Sequence, residues 1–401
     1  MSSIDTNSED IDFVLTRGVE NIYPTKEALK ATLLSGRKLR IYAGFDPSAK
    51  SLHIGNAIVL EKLGQLQKLG HQIIFLIGSF TGMIGDPTDK TAVRIQLTRS
   101  EVLKNSRLFK LQASHYLKFT GANPALVKYN HAWHDKINFK DLISLASHFT
   151  VQQMIERDMF QKRLTEQKPI YLHEFFYPLA QAYDSVALNV DMEIGGNDQT
   201  FNMLCGRNLV KELNHKEKFV LTLKLLADSS GKKMGKTEGN IISLDATPDD
   251  MYGQVMAWPD TILLNAFELC TNISADELTQ IKKQLLDGLN PKEAKSRLAF
   301  LITELNYDTK KAAAAQNRFE KVFSQKDLEG EMTFLDLRPD LNLIDIVLTA
   351  KPDLSKSAAR RLIEQNAVSI NQLVYKDWDK IPTYHPGNVL KIGKHEFWKI
   401  K

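Results

Sequence analysis

The sequence has little of what several protein classes require. Its 401 residues include only two cysteines, Cys205 and Cys270, which excludes a disulfide scaffold and a zinc finger built from cysteines. No apolar run approaches the roughly 20 residues that a membrane-spanning helix needs, so no membrane partner is expected. The sequence also has little excess of one sign of charge, because 52 basic and 48 acidic side chains leave a net charge of +4. That excess is too small to predict nucleic-acid binding by itself.

A targeting segment is another missing feature. The first ten residues are polar and acidic, unlike secretory or mitochondrial leaders. Together with two cysteines that we expect to be buried thiols, this favours a reducing, cytoplasmic location. What is present, 43% hydrophobic and 25% charged residues, is typical of a globular protein, and the length suggests two or three domains.

Apolar periodicity indicates an α/β architecture in the first half. Residues 38–45, 72–77 and 186–194 have the apolar character of buried strands, and 51–69 has helical spacing. Residues 100–165 are mostly helical in pattern, as an insertion between two halves of a sheet. A parallel sheet covered by helices is therefore predicted.

The second half has a different pattern. Helical periodicity dominates from about residue 247, and a small module with two helices and four short strands follows from about 337. The predicted units are a sheet domain at 1–245, a helical domain at 246–335 and an α+β module at 336–401.

The first candidate for phosphate binding lies between the first strand and its helix. Gly44 and Gly55 would allow close backbone approach, Ser48 and His53 can donate hydrogen bonds, and a helix N-terminus favours anions. By itself, this segment fits a capped helix with an incidental histidine equally well.

A second candidate spans residues 231–240, where Lys233 and Lys236 alternate with glycines. Such a charge run is usually a solvated loop. Combined with the first segment, however, a mobile lysine pair could close over a triphosphate and neutralise developing charge.

The segments His53-Ile54-Gly55-Asn56 and Lys233-Met234-Gly235-Lys236-Thr237 resemble the two signatures of class I aminoacyl-tRNA synthetases, HIGH and KMSKS. The sequence context is most similar to bacterial-type tyrosyl-tRNA synthetases. This resemblance implies a Rossmann-like catalytic domain, a helical anticodon-binding domain and a C-terminal RNA-binding module. Asn56 departs from the usual second histidine, but its amide can still donate a hydrogen bond.

Tyr177, Gln181 and Asp184 are spaced by four and three residues, which places them on one face of a helix. Read alone, this pattern also fits an amphipathic helix with its polar side outward. The resemblance implies that Tyr177 and Gln181 hold the α-ammonium of tyrosine, and that Asp184 and Tyr42 meet its phenol hydroxyl.

The resemblance implies further roles around this pocket. It places Asp46 at the tyrosine–adenylate junction, Asp86 at the ammonium, Gln199 against the substrate, Gly195 at ribose and adenine, and Asp198 at the ribose hydroxyls. Catalytic stabilisation of the departing pyrophosphate falls to Ser48, His53, Asn56, Lys90, Arg94, Lys233 and Lys236. Mg²⁺ is expected to accompany ATP, without a tightly bound metal. Residues 131–134 contain two histidines, but we expect a surface loop there, not a metal site.

Lys356, Arg360 and Arg361 lie along one predicted helix of the last module. They could follow an RNA backbone, although a solvated helix face is the simpler interpretation. The resemblance favours contact with tRNA(Tyr), and it implies a homodimer formed through an insertion at about 120–160. Two alternatives remain: a tryptophanyl-tRNA synthetase, and a non-catalytic RNA-binding protein on a synthetase scaffold.

Overall fold

The computed structural model describes residues 4–86, 96–227, 242–323, 333–338, 340–371, 373–393 and 396–401. The chain divides into two compact units, Met1–Gln316 and Asn317–Lys401. The finer division of the chain at residues 245 and 335 remains a prediction.

A six-stranded sheet forms the centre of the first unit. Its strands are β1 (Val19–Tyr23), β2 (Arg40–Phe45), β3 (Gln72–Ile77), β4 (Leu126–Tyr129), β5 (Met192–Gly196) and β6 (Phe219–Leu223). Their order across the sheet is β1-β6-β5-β2-β3-β4. All neighbouring pairs are parallel except β1 and β6, so an antiparallel strand closes one edge. The predicted α/β class with a parallel, Rossmann-like sheet is confirmed.

The boundaries of the strands follow the sequence only in part. Residues 72–77 form β3 as predicted, because this run of apolar residues is buried on both faces of the sheet. The predicted strand at 186–194 is wrong at its start: a helix continues through Ala187, and β5 begins at Met192. Apolar alternation does not distinguish the last turn of a buried helix from a strand.

Helices cover the sheet and fill the rest of the first unit. They are α1 (Ser8–Thr16), α2 (Lys26–Leu34), α3 (Ile54–Lys68), α4 (Thr81–Ile84), α5 (Arg99–Asn105), α6 (Phe109–Ala113), α7 (His131–His134), α8 (Phe139–Ala146), α9 (Val151–Ile155), α10 (Asp158–Thr165), α11 (Leu172–Ala187), α12 (Thr200–Asn214), α13 (Pro248–Met256), α14 (Leu263–Cys270), α15 (Ala275–Leu286), α16 (Pro291–Asn306) and α17 (Thr309–Phe323), the last of which extends past Gln316. Two of them start with proline directly after a capping residue, Thr247 or Asn290. Within the described ranges, no helix is long and apolar enough to cross a membrane.

The second unit is a small α+β module. Its helices are α18 (Leu343–Ala350) and α19 (Lys356–Glu364), and its strands are β7 (Thr333–Leu335), β8 (Val368–Ile370), β9 (Leu373–Val374), β10 (Val389–Ile392) and β11 (Glu396–Ile400). The strands are ordered β7-β11-β10-β8-β9. Fully buried side chains from both helices and from β8 and β10 form its core, among them Ile346, Ile363 and Leu390. The two helices and four strands predicted for this region are confirmed.

Both cysteines are buried and unbonded, as predicted. Burial raises the pKa of the Cys205 and Cys270 thiols to about 12, because the thiolate form loses its hydration. Neither side chain is therefore a reactive thiolate at neutral pH.

Candidate active site

The predicted site residues gather where the central parallel strands end. Tyr42 and Gly44 lie in β2 with Asp46 directly after it, and Gly195 lies in β5 with Asp198 two residues beyond it. From the neighbouring strands β2 and β5 the sheet continues in opposite directions, towards β3 on one side and β6 on the other. In open α/β sheets ligands bind at such a switch point, outside the carboxyl ends of the strands.

Asp46 is the hub of this crevice. One carboxylate oxygen accepts a hydrogen bond from Thr81 Oγ1 at 2.6 Å, and the other accepts one from Tyr177 Oη at 2.8 Å. Burial, together with the nearby Asp46 carboxylate, raises the pKa of Tyr177 well above its ordinary value, so its phenol stays a donor. Gly78, which sequence reasoning missed, makes room for the hub: a Cβ there would lie 1.9 Å from Asp46 Oδ1.

The two predicted phenol partners, Tyr42 and Asp184, are both buried. The Tyr42 hydroxyl lies 2.9 Å from Ser185 Oγ, and Ser185 follows Asp184 in α11. The Asp184 carboxylate accepts hydrogen bonds from three side chains: Asn130 Nδ2 at 3.1 Å, Trp133 Nε1 at 2.8 Å and His134 Nε2 at 2.7 Å. These donors keep the carboxylate oriented inside the protein.

The expectation of a surface loop at residues 131–134 is wrong. This segment forms the short helix α7, and His134 is buried with its ring stacked on Phe80. His131 Nδ1 lies 2.6 Å from Ser79 Oγ. No motif in the sequence marks Asn130, and the spacing of the two histidines suggests only metal ligation or a surface loop.

Gln181 contacts a second cluster of polar side chains, next to the residues predicted to bind tyrosine. Its Nε2 donates to Glu193 Oε1 at 3.0 Å, and Glu193 is paired with Lys218, whose side chain is fully buried. Burial lowers the pKa of the Lys218 ammonium. The adjacent Glu193 carboxylate acts in the opposite direction, because it stabilises the charged form. Neither Glu193 nor Lys218 was singled out from the sequence.

Asp86 and Gln199, predicted on separate segments, are brought into direct contact. Gln199 Nε2 donates to Asp86 Oδ2 at 2.6 Å, and Gln199 Oε1 accepts from Asn202 Nδ2 at 3.0 Å. The buried Arg157 guanidinium lies 3.6 Å from Asp86 Oδ1 and 5.3 Å from the ring centre of Phe201. Sequence reasoning missed Arg157, which directly precedes α10, and Asn202 of α12, since no motif marks either residue.

The first signature occupies the connection from β2 to α3. His53 is the residue before α3, and its backbone N–H donates to Asn56 Oδ1 at 3.0 Å. A Cβ on Gly55 would lie 3.1 Å from the His53 ring, which folds back over the start of the helix. The Ser48 N–H donates to the Asp46 carbonyl at 2.7 Å. Gly44 is exposed although both of its neighbours in β2 are buried.

Four predicted residues, Lys90, Arg94, Lys233 and Lys236, lie outside the described residues. The chain that follows the second signature is described, and it is joined to the first signature: Ile54 N–H donates to the Ile242 carbonyl at 2.9 Å, and Leu244 N–H donates to the Leu52 carbonyl at 2.8 Å. No pattern in the sequence predicts this short antiparallel bridge.

The predicted RNA-binding residues lie on α19, which Ser355 caps by accepting from the Ala358 N–H. Lys356, Arg360 and Arg361 are exposed. Arg360 is engaged within the module, because its Nε donates to Glu364 at 2.9 Å and its guanidinium lies 4.5 Å from the ring centre of Trp378.

Within the described parts of the chain, no group of three or more His, Cys, Asp and Glu side chains could hold a metal ion. The expectation that Mg²⁺ arrives with a nucleotide is not tested by this finding.

Similarity to known proteins extends over nearly the whole chain. The family described as tRNA synthetases class I (W and Y) matches residues 34–324. Tyrosine–tRNA ligase 2 of Clostridium acetobutylicum is 40% identical over 393 residues, covering 96% of this chain and 97% of that protein. Tyrosine–tRNA ligase of Haemophilus ducreyi is 41% identical over 390 residues, covering 96% of each.

Solved structures of lower sequence identity share the fold. A truncated mitochondrial tyrosyl-tRNA synthetase of Aspergillus nidulans superposes with a TM-score of 0.66 at 21% identity, covering 78% of this chain and 94% of that one. The tyrosyl-tRNA synthetase of Archaeoglobus fulgidus, complexed with L-tyrosine, gives a TM-score of 0.60 at 19% identity, covering 78% and 100%.

Proposed function

Because the chain belongs to the class I tyrosine–tRNA ligase family, we propose that it joins tyrosine to tRNA(Tyr) in two steps. In the first, the tyrosine carboxylate attacks the α-phosphorus of ATP, forming tyrosyl-adenylate and releasing pyrophosphate. In the second, a hydroxyl of the 3′-terminal ribose attacks the activated carbonyl carbon, and AMP leaves with the electron pair of the broken bond. Positioned charge, not a covalent enzyme intermediate, supplies the catalysis.

One observation carries the choice of tyrosine: the carboxylate of Asp184 is buried, and the residue that follows it, Ser185, contacts the hydroxyl of the buried Tyr42. A carboxylate offers about four lone-pair positions, and Asn130, Trp133 and His134 occupy three of them. The remaining position suits the hydrogen of a phenol. Phenylalanine would leave this one buried lone-pair position without a donor, which disfavours its binding.

The other residues surround the reacting groups. Tyr177, Gln181 and Asp86 would hold the α-ammonium, and Gln199 would lie against the substrate. Asp46 would face the tyrosine–adenylate junction. The ATP side comprises Gly44, Ser48, His53, Gly55, Asn56, Gly195 and Asp198, together with Lys90, Arg94, Lys233 and Lys236 from outside the described residues. The bridge between Ile54 and Ile242 supports this assignment, because it holds the chain that follows the second signature against the first signature. Mg²⁺ would enter as part of the ATP complex.

Amino-acid-dependent exchange of labelled pyrophosphate into ATP tests the proposal. Exchange should require tyrosine, and Asp184→Asn should weaken the discrimination against phenylalanine while an exposed control, Asp135→Asn, leaves it unchanged. Exchange that depends on tryptophan would contradict the choice of substrate. Tight tRNA binding without exchange for any amino acid would instead support a non-catalytic RNA-binding protein.

We also propose a cytoplasmic homodimer. Large apolar side chains lie exposed in the insertion, namely Phe139, Ile143 and Val151, which are 77%, 56% and 66% exposed. A partner subunit would cover such a surface. Sedimentation at micromolar concentration should give a dimer that Phe139→Asp with Ile143→Asp weakens, whereas a monomeric wild type would refute the assignment.

The second unit would bind the tRNA. Lys356 and Arg361 are exposed on α19 and suit phosphate contacts, and the helical region at 246–335 would meet the anticodon. Replacing Lys356 should reduce tRNA affinity and its salt dependence without changing tyrosine activation. An unchanged tRNA affinity in the Lys356→Ala, Arg361→Ala variant would contradict this role for α19.

A further inference from the structure

A buried ionic cluster lies directly beneath the proposed amino-acid pocket. Lys218, the residue before β6, is fully buried, and its ammonium contacts Glu193 of β5, Ser185 Oγ at 2.7 Å and the Met203 carbonyl at 3.2 Å. It also lies 5.8 Å from the ring centre of Tyr42. Burying a charge pair usually stabilises a fold less than apolar packing does. Its contacts with pocket residues point to a role beyond stability.

The first contact fixes Gln181. A carboxylate can only accept hydrogen bonds, so the Glu193 oxygen at 3.0 Å must face the amide NH₂ of Gln181. The amide oxygen is then the group left to accept from a substrate ammonium. Rotation of the amide would turn a donor towards that ammonium, and Glu193 opposes it.

The second contact fixes the hydroxyl of Tyr42 through Ser185. The ammonium of Lys218 can only donate, so Ser185 Oγ accepts from it at 2.7 Å. The Ser185 hydrogen is directed to Glu193 at 3.3 Å. The Tyr42 hydroxyl lies 2.9 Å from the remaining side of Ser185 Oγ, so this contact fixes where the Tyr42 oxygen lies beside the substrate phenol.

The fold makes space for this cluster at one glycine. A Cβ on Gly206 of α12 would lie 2.6 Å from Lys218 Nζ and 2.9 Å from Ser185 Oγ. Any larger residue would therefore push the ammonium off Ser185.

We propose that Glu193 and Lys218 are positioning residues for substrate specificity, which hold Gln181 and, through Ser185, Tyr42 in the orientations that favour tyrosine over phenylalanine. This inference rests on the proposed function, because it concerns how the same pocket selects its amino acid. Neither residue is expected to contact tyrosine.

The test compares tyrosine- and phenylalanine-dependent pyrophosphate exchange in Ser185→Ala, Gly206→Ala and the double variant Lys218→Met, Glu193→Gln, which leaves no buried charge unpaired. The matched control is Lys62→Met, since Lys62 is also a buried lysine, and its hydrogen bonds within the described ranges go to the Val14 and Arg17 carbonyls. Thermal unfolding establishes that each variant is folded.

We expect the ratio of kcat/KM for tyrosine to that for phenylalanine to fall about tenfold in Ser185→Ala, the effect of one lost hydrogen bond, and further in the double variant. KM for tyrosine should rise while KM for ATP stays within about twofold, and Lys62→Met should keep the wild-type ratio. Folded Ser185→Ala and double variants with a wild-type ratio would overturn the inference. Absence of tyrosine-dependent exchange in the wild type would contradict the proposed function instead, so the two failures are distinguishable.

Discussion

Gly78→Ala is the sharpest perturbation of the candidate site, because it adds one methyl group directly against Asp46. The new Cβ would lie 1.9 Å from Asp46 Oδ1 and 2.5 Å from Thr81 Oγ1. To restore ordinary contact, the carboxylate must retreat by about 1.5 Å, from 1.9 Å to 3.4 Å. A movement of that size is incompatible with its present bonds to Thr81 at 2.6 Å and Tyr177 at 2.8 Å.

Two consequences follow for the Gly78→Ala protein. Overpacking of this kind costs about 1–3 kcal/mol of stability. A displacement of about 1 Å at a positioning group can reduce activity about 100-fold, which corresponds to ~2.7 kcal/mol of transition-state stabilisation. We therefore expect weaker tyrosine binding and a loss of about two orders of magnitude in kcat/KM for tyrosine in pyrophosphate exchange.

Gly44→Ala is the matched control for tyrosine binding. Among the described residues, its Cβ would meet Leu76 Cδ2 alone, at 3.9 Å, so Asp46 and Tyr177 should keep their positions. Equilibrium titration with tyrosine should show weaker binding for Gly78→Ala and wild-type binding for Gly44→Ala. A folded Gly78→Ala protein that binds tyrosine like the wild type would refute Asp46 as the hub of the site.

Three further predictions concern other parts of the molecule. Gly44→Ala should raise KM for ATP about tenfold if the nucleotide approaches the exposed backbone of β2; an unchanged KM would remove Gly44 from the ATP site. Burial lowers the pKa of Lys62 from 10.5 to about 7, so the unfolded chain binds more protons between these values and the free energy of unfolding should rise as the pH increases from about 7 to 10. Urea unfolding at both pH values should show a smaller rise in the free energy of unfolding for Lys62→Met than for the wild type. An identical rise in the two proteins would contradict the lowered pKa of Lys62. Arg360→Ala should destabilise the C-terminal module by about 0.5–1 kcal/mol, because the exposed guanidinium loses its contact with Trp378, whereas Lys356→Ala should leave the melting temperature unchanged.

The sequence predicted those features that depend on neighbouring residues. β3 was predictable because burial on both faces demands an uninterrupted apolar run, and the preceding helix α3 was predictable from its apolar spacing. The start of α19 was predictable because Ser355 is a good N-cap: its side chain accepts a hydrogen bond from a free N–H group of the first turn. The spacing of Tyr177, Gln181 and Asp184 predicted a shared helix face, and α11 carries all three.

The features that the sequence did not predict depend on contacts between distant segments. Asn130, Trp133 and His134 surround Asp184 from about 50 residues away, and no local pattern marks them as its partners. The start of the strand predicted at 186–194 is wrong for the same reason. Only the tertiary structure shows that Val186 belongs to the last turn of α11.

Local patterns thus predicted the class of fold, and the resemblance carried by the two signatures implied which residues would bind tyrosine and ATP. Tertiary structure alone decided which groups meet: the Gly78–Asp46 contact, the bridge from Ile54 to Ile242, and the Lys218–Glu193 pair beneath Tyr42. The physical reason is that periodicity and capping act over a few residues, whereas a buried charge is stabilised only by partners that folding brings to it.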